Sequence, residues 1–271
     1  MAGSTLPVDL PVAADRPARR SRVLVPRLIA GAVILMTWEI VVRLYAPPFV
    51  AKPTTILTAI PRVIVNPAFL AATASTLAAV AEGLAIALAC GTIIGLTIGR
   101  SVIADRLLRL YVNVFYALPM LVVVPLFALW FGYTGAARLV TVVFASVFSI
   151  IVNVADGARS VPREYLEVAR SFRAARLRAL FDVVLPAATP YLLAGLRLAA
   201  GRALIGAVVA EFITAIGGLG YFILYNSRTF HDNEAFVGVL LLAAFGVGFE
   251  GLVGCSTRLL LPWYRRDERS E

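Results

Sequence analysis

The sequence predicts an all-α polytopic membrane protein with about six transmembrane helices and one long polar loop on the cytoplasmic side. Of its 271 residues, 60% are hydrophobic and 15% are charged, and the mean hydropathy is +0.87, which is too apolar for an ordinary soluble domain. Nearly uncharged runs recur along the chain, each close to the roughly 20 residues that a helix needs to cross the hydrocarbon. These runs do not alternate in polarity, as the strands of a transmembrane barrel would.

The N-terminal part of the chain contains a tail and two predicted spans. Residues 1–27 are rich in Pro, Ala and Arg and lack apolar periodicity, so we predict a disordered cytoplasmic tail. No small-x-small cleavage site follows the next apolar run, which favours an uncleaved span over a signal peptide. We predict that first span at about Leu28–Tyr45, an external loop to about Phe69 and a second span at about Ala72–Ile98.

The middle of the chain predicts two further spans joined by a tight external turn. The third begins amphipathic, is wholly apolar by Phe115 and reaches about Phe131. Pro119 and Pro125 should kink it, because proline lacks the N–H that a helix interior uses. The fourth span is predicted at about Leu139–Val154.

The C-terminal part follows a polar segment and predicts two more spans. The fifth lies at about Tyr191–Ile213, and a Gly-rich external segment at Gly217 separates it from the sixth, at about Ala235–Leu259. Residues 261–271 are predicted to be a second cytoplasmic tail.

The distribution of positive charge predicts the orientation. With both termini in the cytoplasm, the external loops hold only Lys52, Arg62, Arg138 and Arg228, whereas the internal segments hold most of the arginines. This is the bias of the positive-inside rule, so the net charge of +9 is a topology signal. No basic stripe carries interleaved aromatic residues, and we predict no nucleic-acid binding.

The sequence lacks the residue patterns that several functions require. The only lysine, Lys52, is in no P-loop context, so the chain is not a P-loop ATPase by itself. Cys90 and Cys255 fall in predicted spans, where thiols are more often apolar fillers than a metal pair, and we predict no metal site. His231 is the only histidine and has no serine in a Gly-framed turn near it, so we predict no enzyme activity and no catalytic residues.

A polar, Arg-rich segment between the fourth and fifth spans is the most informative part of the sequence. Burying one arginine at the bilayer centre costs roughly 2.5–3.5 kcal/mol, so this segment must lie in water. Its apolar residues recur at three- and four-residue spacing, which predicts a short amphipathic helix. Such a helix could rest on lipid headgroups or fill a groove of a cytosolic partner, and the residues alone leave both open. The segment's arginines are Arg159, Arg163, Arg170, Arg173, Arg176 and Arg178.

The same segment resembles the Glu-Ala-Ala loop of bacterial ABC importer permeases. It reads Glu167-Val-Ala-Arg-Ser-Phe-Arg173, then nine residues, then Val183-Val-Leu-Pro186, and the spacing matches the family pattern throughout. Arg173 stands where the family has Gly. Gly readily adopts the positive φ of a turn between two short helices, whereas another residue adopts it at a cost, so the sequence allows a straighter helix at this point.

The resemblance covers about residues 30–260 and is closest to the nitrate/sulfonate/taurine branch. The pieces that carry it keep the family's order and spacing: Trp38-Glu39, Pro119 to Trp130-Phe-Gly, Gly195-Leu-Arg-Leu-Ala, Glu211-Phe and Gly218-Leu-Gly-Tyr. It implies a permease domain at 28–260 whose coupling loop, at 157–190, docks on a separate ATPase subunit. The residues assigned to this coupling are Arg163, Glu164, Tyr165, Glu167, Val168, Ala169, Arg170, Phe172, Arg173, Leu185 and Pro186.

The resemblance also implies partners, cargo and location. It implies two copies of the ABC ATPase, a second permease subunit in a homodimer, and an extracytoplasmic solute-binding protein. ATP and Mg would be bound by the ATPase, leaving no cofactor in this chain. The protein would lie in the bacterial inner membrane and translocate a small anionic or zwitterionic solute resembling sulfonate, taurine or nitrate.

Ionisable residues within predicted spans are candidates for the translocation pathway. They are Glu39, Glu82, Arg202 and Glu211, with pairing of Arg202 and Glu211 and snorkelling of Glu82 as competing interpretations. The glutamates also permit an alternative function, a proton-coupled secondary transporter without an ATPase; a weaker alternative is an interfacial scaffold.

Small residues at four-residue spacing predict a flat helix face in the second span. The residues are Gly91, Gly95 and Gly99. Such a face allows close helix packing, within one subunit or across a dimer seam.

Overall fold

The computed structural model describes residues 20–47 and 50–260, so most of the predicted N-terminal tail and the C-terminal tail at 261–271 lie outside the described residues. Within this part of the chain the structure is helical and contains no strand. The elements are α1 Arg20–Tyr45, α2 Pro53–Ile64, α3 Pro67–Arg100, α4 Val102–Ala117, α5 Met120–Phe131, α6 Gly135–Arg159, α7 Arg163–Ser171, α8 Arg176–Ala179, a π-helical turn Leu180–Val184, α9 Leu185–Thr214, α10 Leu219–Arg228 and α11 Asp232–Leu260.

The prediction of about six spans is confirmed. Five helical segments of the described chain are long and apolar enough to cross a membrane, and the pair α4 and α5 forms a sixth if it is taken as one broken span. The helix α1 begins at Arg20, inside the segment predicted as the N-terminal tail, so the tail and the first span overlap in the structure.

The third predicted span is broken rather than kinked. The axes of α4 and α5 differ by 102°. Leu118 is extended, with φ −66° and ψ 131°, as the residue before a proline tends to be, and this ends α4. Pro119 then precedes α5, whereas Pro125 lies inside α5 without ending it. The sequence predicted a kink at both prolines, whereas the structure has the break at Pro119 and a continuous helix through Pro125.

The external loop predicted between the first two spans contains a helix. The α2 helix buries Ile56, Ala59 and Val63 in one cluster with Phe69 and Leu219. Burial of one face explains why this segment is helical although it contains two prolines. Pro53 is also tolerated because it occupies the first turn, where its missing N–H has no intrahelical partner to lose.

Three helices, α3, α6 and α9, form the centre of the molecule, and α6 lies between the other two. Gly91, Gly95 and Gly99 all face α6 of the same chain. A Cβ atom added at Gly95 would lie 2.8 Å from the Cβ of Val154 and 2.9 Å from the carbonyl oxygen of Ile151. The stripe therefore lets the two backbones approach closely within one subunit.

Candidate functional site: the cytoplasmic loop and the intramembrane charges

The helix α7 presents its apolar residues to the exterior. Tyr165, Val168 and Phe172 are 61%, 54% and 83% exposed, although aromatic and β-branched side chains on a soluble surface would normally be covered. Only Leu166 turns inward, where it packs against the cluster that contains Val161. The amphipathic face predicted from the sequence therefore exists and points away from the rest of this chain.

Acidic side chains flank this exposed apolar face. Glu164 and Glu167 are exposed, and neither carboxylate makes an ion pair or a hydrogen bond with another described residue. Ala169, between the exposed apolar residues, is half-buried. Arg163 and Arg170 are exposed on the same helix, so the surface of α7 combines uncovered apolar area with charges of both signs.

A tight turn follows α7, and Arg173 forms it. Arg173 adopts φ +53°, in the left-handed region where glycine is favoured. Its N–H donates to the carbonyl of Arg170 at 2.8 Å, and the N–H of Ala174 donates to the carbonyl of Ala169 at 3.0 Å. These two bonds are those of a Schellman motif, in which the left-handed residue is normally Gly. The straighter helix that Arg173 allowed is therefore not what forms.

The chain returns to the membrane through α8 and the π-helical turn. Val184 is buried there, and Leu185 lies half-buried beside it against the same cluster as Leu166. Pro186 is the second residue of α9, a position where its missing N–H is tolerated. The loop is thus fixed to the body at its return, while α7 projects from it.

Ion pairs join the base of this loop to α4. Arg159, at the end of α6, donates to Asp105 at 2.5 Å and to Asp156 at 2.9 Å. Arg163, Glu167 and other loop residues line a polar groove of about 520 Å³ beside this pair. The end of α6, the start of α4 and α7 therefore meet at one place.

Glu211 lies in a buried network at the opposite side of the molecule. Its carboxylate is fully buried and accepts hydrogen bonds from Thr76 Oγ1 at 2.8 Å, from the N–H of Gly220 at 2.7 Å and from Arg138 Nη1 at 3.1 Å. Arg138 also donates to the carbonyl of Gly217, and the N–H of Leu219 donates to Thr76.

This network corrects one interpretation of Glu211. Its partner is Arg138, so the pairing of Glu211 with Arg202 is wrong. A carboxylate enclosed by donors from α3, α6 and the α9–α10 turn holds those elements together, and its place in the translocation pathway stays a prediction. The sequence showed the two charges but not that they would meet, because they lie on different helices.

Glu39 is also engaged in holding elements together. Its carboxylate pairs with Arg43 at 2.6 Å and accepts from the N–H of Thr54 at 3.1 Å and from the Thr54 hydroxyl at 2.8 Å. These contacts fasten the end of α1 to the first turn of α2, where backbone N–H groups lack intrahelical partners.

The two other intramembrane candidates form no ion pair with any residue that the structure describes. Glu82 is exposed near the middle of α3 and makes no ion pair or hydrogen bond with a described residue. Arg202 is exposed on α9, and its guanidinium carbon lies 4.0 Å from the centre of the Tyr116 ring. Tyr116 was not singled out from the sequence, because an aromatic residue in an apolar run carries no distinguishing signal.

Arg202 borders a cavity of about 280 Å³ at the break between α4 and α5. Aromatic side chains dominate its walls, and Leu118 and Met120 lie at the break itself. Phe144 and Phe148, one turn apart on α6, are in edge-to-face contact with ring centroids 5.0 Å apart. The cavity thus combines an apolar aromatic wall with a single cationic side chain.

Comparison with known proteins agrees with this architecture. The family model described as "Binding-protein-dependent transport system inner membrane component" matches residues 87–266. SsuC of Bacillus subtilis (strain 168), named as an aliphatic sulfonates transport permease protein, is 27% identical over 264 residues, covering 97% of this chain and 96% of its own length. The nitrate import permease protein NrtB of Leptolyngbya laminosa is 30% identical over 191 residues, covering 70% and 68%.

A solved structure shares the fold. The crystal structure of an amino acid ABC transporter with histidines superposes with a TM-score of 0.60 at 19% identity, covering 75% of this chain and 97% of that one. At this identity the likeness shows the fold alone.

The chain therefore belongs to the inner membrane components of binding-protein-dependent transport systems, which are ABC importer permeases, and within them to the nitrate/sulfonate branch. These are multi-pass membrane transport proteins, and the family is not an enzymatic one.

Proposed function

We propose that this chain is the permease of an importer for a small anionic or zwitterionic solute, driven by a separate ATPase subunit that docks on α7. The observation that carries the proposal is the uncovered apolar face of α7, with Tyr165, Val168 and Phe172 exposed beside the unpaired Glu164 and Glu167. Exposed arginines, Arg163 and Arg170, lie on the same helix. We would expect a helix that merely rested on lipid to carry chiefly cations on its polar side, whereas α7 carries carboxylates in equal number.

The rest of the assembly follows from the family. Two ATPase copies would bind a permease homodimer, and an extracytoplasmic binding protein would deliver the solute. Both termini would lie in the cytoplasm, which agrees with the positive-inside rule: Arg100 and Arg159 lie at the same side as α7, and Lys52 lies at the other. ATP-driven approach of the ATPases would move α7 and alternate access to the central pathway.

The solute class is supported by two observations. The relatives described above are named for sulfonate and nitrate transport. In this chain, the intramembrane charge that remains unpaired beside a cavity is a cation, Arg202. A proton relay through the glutamates has no support in the geometry, because Glu39 and Glu211 are bound in separate networks.

The coupling proposal can be tested with a double substitution on α7. Glu167→Arg together with Ala169→Asp reverses one exposed charge and places a carboxylate on the apolar face. We expect loss of co-purification of the ATPase subunit and loss of ATP-dependent solute uptake in proteoliposomes. The matched control is Arg228→Glu, an exposed charge reversal on α10 at the opposite side, which should change neither. Normal co-purification and uptake in the α7 variant would refute the coupling role.

A further inference from the structure

Arg202 is an intramembrane cation without a counter-ion in the described chain. It lies in the middle of α9, within a segment long and apolar enough to span the bilayer. Its side chain is exposed, and its interaction with the described residues is the contact with the Tyr116 ring. Of the carboxylates singled out within the spans, Glu211 is paired with Arg138 and Glu39 with Arg43, while Glu82 makes no ion pair with a described residue.

A cation in this position requires an anion or water. Ionisable side chains within membrane spans are costly, and they usually face the bundle interior or a water-filled cavity. The Tyr116 ring attracts the guanidinium and fixes its position, but it does not neutralise the charge. The guanidinium makes no hydrogen bond with a described residue, so its N–H donors remain available to a ligand.

The cavity beside Arg202 sets the size of what could bind there. Its volume of about 280 Å³ is at the small end of ligand pockets, which run from about 300 to 1,000 Å³. The walls come from four helices, with Phe115 on α4, Met120 on α5, Phe144 and Phe148 on α6, and Ile205 on α9. Such a space suits a small molecule with one charged end and a short apolar remainder.

The chemistry of the cation narrows the ligand further. A planar guanidinium presents parallel N–H groups, which match two oxygens of one oxyanion better than they match a monatomic anion. Sulfonate, nitrate and carboxylate groups all offer such a pair of oxygens. The aromatic walls would contact the non-polar part of a sulfonate, and an uncharged analogue would leave the guanidinium unpaired.

We propose that Arg202, held on the Tyr116 ring, is the anion-binding residue of the translocation pathway, and that it takes the oxyanion end of a small solute such as a sulfonate. This inference rests on the proposed function for the direction of transport and for the assembly, whereas anion binding at Arg202 can be measured without either. The break between α4 and α5 borders the cavity at Leu118 and Met120, so the site lies where the backbone changes direction.

The test measures binding separately from transport. The purified permease–ATPase complex is titrated with methanesulfonate and with nitrate, and thermal unfolding reports the stabilisation that any ligand of the folded state produces. Dimethyl sulfone is the uncharged control. We expect both anions, but not the sulfone, to raise the unfolding temperature of the wild-type complex.

Variants then locate the site. Arg202→Gln should weaken anion binding by about tenfold or more, since it removes charged hydrogen bonds. Arg202→Lys, which keeps the charge but not the paired donors, should bind with intermediate affinity. Tyr116→Phe should retain binding, because the ring face remains, and Tyr116→Leu should weaken it. Arg197→Gln is the matched control, an exposed arginine on the same helix, and should bind as the wild type does.

Two results would overturn the proposal. One is an unchanged anion response in both Arg202 variants. The other is that neither anion raises the unfolding temperature of the wild type. If Glu82→Gln then makes the complex respond to the anions, Arg202 is neutralised by Glu82 of a second copy. If the wild type binds the anions through Arg202 but imports no anion with ATP, the site stands and the proposed function fails.

Discussion

Arg138 and Glu211 form a buried ion pair, Nη1 to Oε1 at 3.1 Å, in which the carboxylate is fully enclosed and the guanidinium nearly so. The pair joins the first turn of α6 to the last turn of α9, and Arg138 reaches on to the carbonyl of Gly217 in the turn beyond. One side chain from each helix therefore holds together the start of α6, the end of α9 and the start of α10.

Glu211→Gln should strongly destabilise the protein. Gln keeps the size, but its one amide oxygen replaces only one of the two carboxylate oxygens, so it cannot accept from both Thr76 and the N–H of Gly220. It also leaves the Arg138 charge buried without a counter-charge. Removing one member of a buried pair typically costs about 3–5 kcal/mol. Thermal unfolding in detergent measures the loss. Glu39→Gln, at a pair with an exposed arginine, is the control and should change the midpoint little. Equal effects of the two substitutions would contradict the structural role given to Glu211.

Arg173→Gly should stabilise the turn after α7. A non-glycine residue in the left-handed region costs roughly 1–2 kcal/mol, which Gly does not incur. Hydrogen exchange of the Arg170 to Ala174 segment should become slower in Arg173→Gly and faster in Arg173→Val, because a β-branched side chain suits this conformation worst. If the amide hydrogens of both variants exchange at the wild-type rate, the left-handed turn at Arg173 is not formed in the protein.

Gly95→Ala should destabilise the contact between α3 and α6. The added Cβ would overlap the Val154 side chain, and overpacking of this kind typically costs about 1–3 kcal/mol. Gly31→Ala on α1 is the matched control, since a Cβ there meets nothing within 4 Å and alanine favours the helix. The unfolding temperatures of the two variants should move in opposite directions, and a stable Gly95→Ala protein would argue against this packing.

Pro119→Ala should leave the bend between α4 and α5 in place. The buried side chains of Val124 and Phe127 fix α5 against its neighbours, so packing and not proline alone holds the 102° angle. Spin labels at the exposed positions Val114 and Leu129 would report the distance between the two helices. A continuous helix would place them about 22 Å apart along its axis. Reaching that separation in Pro119→Ala, but not in Pro125→Ala, would show that Pro119 alone makes the bend.

The number of spans and the position of the polar loop were predictable because they depend on local composition. A run of apolar residues must enter the membrane and a cluster of arginines must leave it, whatever the rest of the chain does. The amphipathic face of α7 was predictable for the same reason, since the spacing of Tyr165, Val168 and Phe172 is a property of one short stretch of the chain.

The features that were missed depend on contacts between distant segments. The burial of α2 requires Leu219, which lies far along the chain, and the partner of Glu211 lies on another helix. The left-handed conformation of Arg173 was missed because propensity disfavours it there. The two return hydrogen bonds to α7 and the attachment of the loop at Val184 outweigh that local preference.

The helix α4 touches both of the regions for which we propose a role in transport. Its first turn is tied through Asp105 to Arg159, where α6 ends, and its last turn carries Tyr116, in contact with the guanidinium of Arg202. Its 16 residues span about 24 Å, and a helix of that length behaves as a stiff rod. We therefore expect a displacement of α7 to pass to the end of α6 at Arg159 and from there to reach the Arg202 cavity as a tilt of α4.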